Sequence, residues 1–220
     1  MAEFDPSTTS KLEHSKAKRR NGILDAAREL LREGDEELSM RALARRANVS
    51  LATPYNLFGS KQGVMIALLN REGTLFIDRF NEERSDNTID RIFRFLDSVF
   101  DLYRSDPPYF KALLSSLYVN DDTYMRQESR RPRMSYLKRL LREAVAAGTL
   151  GTDISIGLIS RQMLGLNLFF VQEWVYGTIT LERARLETEF GFSVLLLAVA
   201  KNSGREQLLA RNIDLEARIE

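Results

Sequence analysis

A chain of 220 residues, 44% hydrophobic and 29% charged, has the composition of an ordinary folded protein and is long enough to bury a core without staples. With no cysteine and one histidine, it excludes disulfide scaffolds, thiolate zinc sites and any pairing of a nucleophile with an imidazole. A net charge of +1 excludes a polycation, so a nucleic-acid partner would have to be held by local charge.

Residues 1–14 are polar, Ser/Thr-rich and aperiodic; they read as a disordered arm and lack the apolar core of a signal peptide. The lone His14 sits in that arm among polar neighbours. Lys16, Lys18, Arg19 and Arg20 form a basic cluster with two readings, an arm reaching a DNA groove or a solvated first helical turn. Ile23, Leu24, Ala27, Leu30 and Leu31 recur on one helical face, which Gly34 ends. Ser39 is placed to cap a short helix over 40–46, and Ser50 another over 51–58 that Gly59 stops. Ser60 caps a third, running through Val64, Ala67, Leu68, Leu75, Phe76 and Phe80.

Asp86 or Asn87 opens the next helix, with Ile89, Ile92, Phe93, Leu96, Val99, Phe100 and Tyr103 on its apolar side; Pro107 and Pro108 break it. A shorter helix is expected over 109–119, and one beginning at 121–125 is interrupted or kinked by Pro132. Tyr136, Leu137, Leu140, Leu141 and Val145 continue as a stripe to Gly148. Two long apolar helices follow, about 153–176 and 180–202, and then an amphipathic tail, 205–220. About nine helices without strand alternation predict an all-α fold. The longest apolar runs, 164–171 and 190–200, fall short of the ~20 residues of a membrane span, so no membrane partner is expected.

The stretch 39–61, SMRALARRANVSLATPYNLFGSK, has the requirements of a helix-turn-helix. Asn48 stands where a tight turn needs positive φ, Ala44 and Ala47 are small enough for a helix crossing, and Leu43, Val49 and Phe58 are apolar anchors. From Leu38 to Lys61 there is no acid, whereas Arg41, Arg45, Arg46 and Lys61 are basic. The local field is therefore positive in a nearly neutral chain, and phosphate contacts supply most non-specific DNA affinity. Arg45 and Arg46 read as solvated surface.

Ala44, Ala47, Val49, Ser50, Thr53, Tyr55, Phe58, Ser60 and Lys61 together resemble the signature of the tetracycline-repressor (TetR) family, in order and spacing. AGTLGTDIS, before the penultimate long helix, is similar to the family's usual lead-in to that helix. The resemblance implies that Arg41, Thr53, Tyr55 and Lys61 hold DNA phosphates. It leaves Leu51, Ala52 and Asn56 as base-facing candidates, with Asn suited to adenine and Ala or Leu to a thymine methyl. The alternatives are a core tyrosine at 55 and a solvated helix-start lysine at 61. Two positions depart from the pattern: Asn48 stands where the family commonly has Gly, and Pro54 replaces an apolar residue in a first helical turn, where proline is tolerated and can shift the helix start.

The expected organisation is an arm (1–14), a helix-turn-helix DNA-binding domain (15–62), a ligand-binding and dimerisation domain (63–204) and the tail (205–220). The implied function is a sequence-specific DNA-binding transcriptional regulator, a repressor released by a small apolar or amphipathic effector. It is expected to be cytoplasmic and nucleoid-associated, with no enzymatic activity, cofactor or metal. Its partners would be double-stranded DNA carrying a pseudo-palindromic operator, a small-molecule effector, and a second copy joined through helices 153–176 and 180–202. Candidate pocket residues are Phe100, Tyr103, Phe110, Gln162, Asn167, Phe170 and Trp174, against the plainer reading that the aromatics only pack the core. The rival reading is an all-helical protein-interaction adaptor that has lost DNA binding.

Overall fold

A computed structural model of the chain describes residues 6–34, 38–82, 87–118, 123–153 and 155–220, with the backbone alone described at 6–12, 75–82, 118 and 123–129. Residues 1–5 of the expected arm and Asp86, one of two proposed helix openers, lie outside the described residues. Ten α-helices are described: α1 (Pro6–Arg32), α2 (Met40–Arg46), α3 (Ala52–Phe58), α4 (Lys61–Glu82), α5 (Thr88–Ser105), α6 (Pro107–Tyr118), α7 (Thr123–Ala146), α8 (Ile156–Tyr176), α9 (Leu181–Leu197) and α10 (Asn202–Ile219). Among the described residues there is no strand, only an isolated antiparallel bridge between Leu150 and Ala200.

Several boundaries differ from the expectation. α1 starts at Pro6, so residues 6–14 are helical and not a disordered arm. Proline pre-sets φ for a first helical position, and Lys, Leu, Glu and Ala are good helix formers even without an apolar stripe. α7 runs through Pro132 without a break. The hydrogen bond that proline forfeits is offset by burial of Tyr136, Leu137, Leu140, Leu141 and Ala144 beyond it. α9 stops at Leu197, short of 202, because the chain turns into the bridge: Gly151 N–H donates to Val199 O (2.7 Å) and Lys201 N–H to Thr149 O (2.9 Å). The tail is α10, and it is part of the folded body: Gly204, Leu208 and Leu215 are buried.

The chain divides into two compact units. The first holds residues 1–71 and 108–129, so it takes in the start of α4 and nearly all of α6; the expected domain boundary at 62 lies within it. Its core is Ile23, Leu24, Ala27 and Leu30 of α1, Leu43 and Ala44 of α2, Phe58 of α3, Val64, Met65 and Leu68 of α4, and Tyr109, Phe110, Leu113 and Leu114 of α6. The guanidinium groups of Arg28 and Arg32 lie 5.7 and 5.5 Å from the Tyr109 ring centre.

The second unit holds residues 72–107 and 130–220. Asn87 caps α5 by accepting from the N–H groups of Ile89 and Asp90, and α5 buries Ile89, Ile92, Phe93, Leu96, Phe100 and Tyr103 as its periodicity predicts. α9 packs on α8, α10 and α5. Aromatic stacking adds Phe95 on Tyr136 (4.7 Å) and Tyr103 on Trp174 (5.7 Å).

Candidate nucleic-acid interface

The positively charged stretch of the sequence folds into two short helices at a tight turn. Ser39 caps α2 through its hydroxyl, which accepts from Ala42 N–H at 3.2 Å. After α2 the chain reverses at Asn48, whose φ of 51 makes it one of the non-glycine residues in the left-handed region. Asparagine tolerates that region because its short polar side chain bonds locally. Val49 N–H returns to Ala44 O at 2.9 Å and closes the turn. Of the small residues expected at this crossing, Ala44 is buried and Ala47 half-buried.

α3 starts at Ala52, one residue later than expected, and it is the Ser50 carbonyl, not its hydroxyl, that accepts from Thr53 N–H, at 2.9 Å. The Ser50 and Thr53 hydroxyls share a hydrogen bond of 2.9 Å. Pro54 is the third residue of α3, where its missing N–H is one of the groups left unpaired anyway. With Phe58 one turn on, it forms the buried side. The opposite side carries Leu51, Ala52, Tyr55 and Asn56, all exposed, with Leu51 46% and Tyr55 50% accessible. Residues 51, 52, 55 and 56 share one helical face, so the expected base-facing trio and Tyr55 come together. Arg41 is exposed in the first turn of α2, and Thr53 and Lys61 are half-buried at the edges of α3 and α4. Tyr55 is not the core tyrosine of the alternative reading.

Two residues that hold α3 carry no signal for this role in the sequence. Arg20 of α1 donates to Leu57 O at 3.1 Å and lies 4.4 Å from the Phe58 ring centre. A cation at the C-terminal end of a helix meets unpaired carbonyls and the negative end of the dipole. Gly63 is the second: an added Cβ there would fall 2.0 Å from Phe58 O. Ser60 Oγ accepts from Gly63 N–H at 3.1 Å, so the α3–α4 junction is closed from both sides. Arg46, by contrast, faces α1, with Nη2 2.6 Å from Glu33 and Nη1 3.2 Å from Glu29. Its hydrogen bond holds the Glu33 carboxyl below the usual carboxylate range.

The proposed pocket residues separate. Tyr103 and Trp174 stack, Phe100 meets Tyr103 edge-on at 6.2 Å, and Arg133 donates to the Tyr103 hydroxyl. Asn167 is buried, and its Nδ2 has no hydrogen-bond partner among the described residues. Phe170 is half-buried, while Gln162 is exposed and does not join this group. Gln162 lies on the outward stripe of α8 with Leu158, Gly165 and Phe169, at spacings of three and four. Phe110 belongs to the other compact unit, where it packs edge-on against Tyr109. No described helix is long and apolar enough to cross a membrane.

The family described as bacterial regulatory proteins, tetR family, matches residues 23–68, from α1 through α2 and α3 into α4. The HTH-type transcriptional repressor KstR of Rhodococcus jostii (strain RHA1) is 29% identical over 109 residues, 49% of this chain and 51% of the relative, so the chain spans about half the length of the curated relative it matches. Among solved structures, FadR of Thermus thermophilus, a TetR-family repressor in complex with lauroyl-CoA, is 20% identical with a TM-score of 0.66, over 84% of this chain and 96% of that one. FadR of Bacillus subtilis in complex with stearoyl-CoA is 21% identical with a TM-score of 0.60, over 83% and 97%. At these identities the likeness of the two structures is one of fold, and it extends beyond the helix-turn-helix into the helical body.

Proposed function

We propose that this chain, which belongs through residues 23–68 to the tetR family of bacterial regulatory proteins, is a dimeric, sequence-specific DNA-binding repressor released by a small effector. One observation carries the reading: α3 turns Leu51, Ala52, Tyr55 and Asn56 to solvent on one face, in a stretch from 38 to 61 that also carries Arg41, Thr53 and Lys61 and has no acid. Thr53, Tyr55, Lys61 and Arg41 hold phosphates and set the register. Leu51, Ala52 and Asn56 read base edges in the major groove.

The test is selection of bound fragments from a random-sequence duplex library at rising salt. A pseudo-palindrome should be enriched, with affinity that falls steeply as salt rises. Tyr55→Phe removes one phosphate hydrogen bond per half-site, about 1–1.5 kcal/mol each, so operator affinity should fall roughly 30- to 150-fold with dimer mass unchanged. Unchanged affinity removes Tyr55 from the phosphate set. No enrichment at any salt favours the adaptor reading.

The second copy docks on α8 and α9. Leu158, Phe169 and Tyr176 of α8 and Val194 of α9 are 47–60% exposed, an apolar surface that water disfavours. A two-fold four-helix interface covers these residues on both copies and sets two α3 helices for half-sites about 34 Å apart. Phe169→Arg should yield monomers in sedimentation velocity and abolish tight operator binding, since burying a phenylalanine contributes about 1.5–3 kcal/mol per copy. A dimer of wild-type strength would place the interface elsewhere.

The effector site is in the second unit, around the Tyr103–Trp174 stack and Asn167. An unpaired, buried amide N–H is costly and gains a partner when an acceptor-bearing ligand binds. The acyl-CoA bound in the two FadR structures supports an amphipathic effector class. Release requires the effector to bind the DNA-incompetent state more tightly than the competent one.

A further inference from the structure

Residues 13–20 of α1 precede the buried stripe that starts at Ile23, and all of them are exposed. They add nothing to the core, yet they are tied to the recognition helix. Arg20 clamps the C-terminal end of α3 through Leu57 O and the Phe58 ring. Towards the N-terminus of α1, Glu13, Lys16 and Arg19 form one wall of an open groove of about 320 Å³, and Thr53, Asn56 and Leu57 of α3 form the other. Thr53 and Asn56 already belong to the DNA face, so the groove is continuous with it. Its charge suits one occupant: Lys16 and Arg19 line it against the single carboxylate of Glu13, and Lys18 and Arg20 adjoin it in the sequence.

We propose that the N-terminal turns of α1 form a second clamp on the DNA backbone, in which Lys16 and Arg19 hold a phosphate of the strand passing the recognition helix. The inference rests on the DNA-binding reading above. Lys16 brings a point charge and Arg19 a planar fork; both grip phosphate oxygens and carry no sequence information. The clamp therefore raises affinity and fixes register without altering which base pairs are read. Glu13, on the same wall, repels the strand and limits how tightly the clamp closes.

The experiment measures affinity of the full chain for the duplex enriched by selection across a salt series. The proteins are wild type, Lys16→Ala/Arg19→Ala, Glu13→Gln, Tyr55→Phe, and Arg142→Ala as a control for loss of an exposed charge elsewhere. Each cation that neutralises a phosphate contributes about 0.9 to the log–log slope. The double variant removes this pair from each subunit of a dimer, so it should flatten the slope by roughly 2–4, from one phosphate shared by the pair to one held by each cation, and lose about tenfold or more in affinity. The enriched sequence should not change, and Glu13→Gln should bind more tightly than wild type. Ethylation interference gives position: phosphates whose ethylation blocks the wild type should cease to matter to the double variant at one or two sites per half-site. If the double variant keeps the slope of Arg142→Ala while Tyr55→Phe still weakens binding, the clamp is overturned and the DNA reading stands. A uniform loss over every phosphate also overturns it, since that reports a diffuse field. A wild-type chain that binds no duplex overturns both.

Discussion

Replacing Arg185 and Arg211 together by leucine should lower the melting temperature of the second unit by about 6–20 °C. That estimate follows from about 3–5 kcal/mol for a stranded buried charge, at roughly 2–4 °C per kcal/mol for a domain of this size. The stranded charge is Glu189, which is 4% exposed. Its carboxylate is held by Arg185 Nη1 at 2.8 Å and, from α10, by Arg211. Arg185 also reaches Asp97 of α5 at 3.1 Å and Glu182 at 2.7 Å, so one guanidinium serves three acids on two helices. The surroundings already disfavour more negative charge: burial, and then the charge of Glu189, push the Asp97 carboxyl above its ordinary range.

In the wild type Glu182 is held below the usual carboxylate range, mainly by the hydrogen bond from Arg185, and the stabilisation this gives is present at neutral pH and lost as pH falls. A variant without Arg185 lacks that contribution at every pH. The gap between the two proteins should therefore be widest near pH 7 and narrow in acid. Adding Glu189→Leu should recover much of the loss, because apolar residues of similar size often replace a buried ion network without penalty. Differential scanning calorimetry reads all of this. A double variant melting within about 2 °C of wild type at pH 7 would show that Glu189 is solvated in the folded protein.

This network is not legible in the sequence, whereas the helix-turn-helix is, and the reason is the same physics in both cases. The bounds of α2 can be read from the chain because its signals are local: a serine three residues before the N–H it caps, small residues at the crossing, and an asparagine able to take a φ of 51. The α5 stripe is legible because burial of Ile89, Ile92, Phe93 and Leu96 follows directly from the helical period. Partners distant in sequence leave no such trace. Nothing near Arg185 announces Asp97, 88 positions away, and nothing near Arg20 announces Leu57. The early start of α1 escapes sequence reading because a helix of polar residues has no apolar stripe to count. Gln162 is expected inside because it sits in an apolar segment, but the helical period turns it outward with Phe169. Tyr103 and Trp174 do meet, although their spacing in the chain says nothing of it.

Gly63→Ala should cost roughly 100-fold in operator affinity while leaving helix content and dimer mass intact. Alanine is the better helix former, by about 1 kcal/mol, so helix propensity alone predicts a benefit. Packing reverses the sign. The new methyl would sit 2.0 Å from Phe58 O and 3.1 Å from Phe58 C, and these are backbone atoms with no rotamer to swing away. To restore ordinary spacing, the end of α3 must move by more than about an ångström relative to the start of α4. Overpacking of this kind costs about 1–3 kcal/mol of stability. The larger effect falls on recognition. Phe58 ends the helix that carries Tyr55 and Asn56, and Lys61 starts the next one, so the proposed phosphate and base readers no longer share a common frame. Hydrogen bonds weaken steeply beyond about 3.2 Å, and about 1.5 kcal/mol lost at each of two half-sites gives the expected factor. Fluorescence anisotropy with the enriched duplex measures it, with circular dichroism and sedimentation as controls. A variant that binds within about threefold of wild type would mean that α3 can slide against α4 and still reach its phosphates and bases, and the close approach at Gly63 would then have no part in aiming the recognition helix.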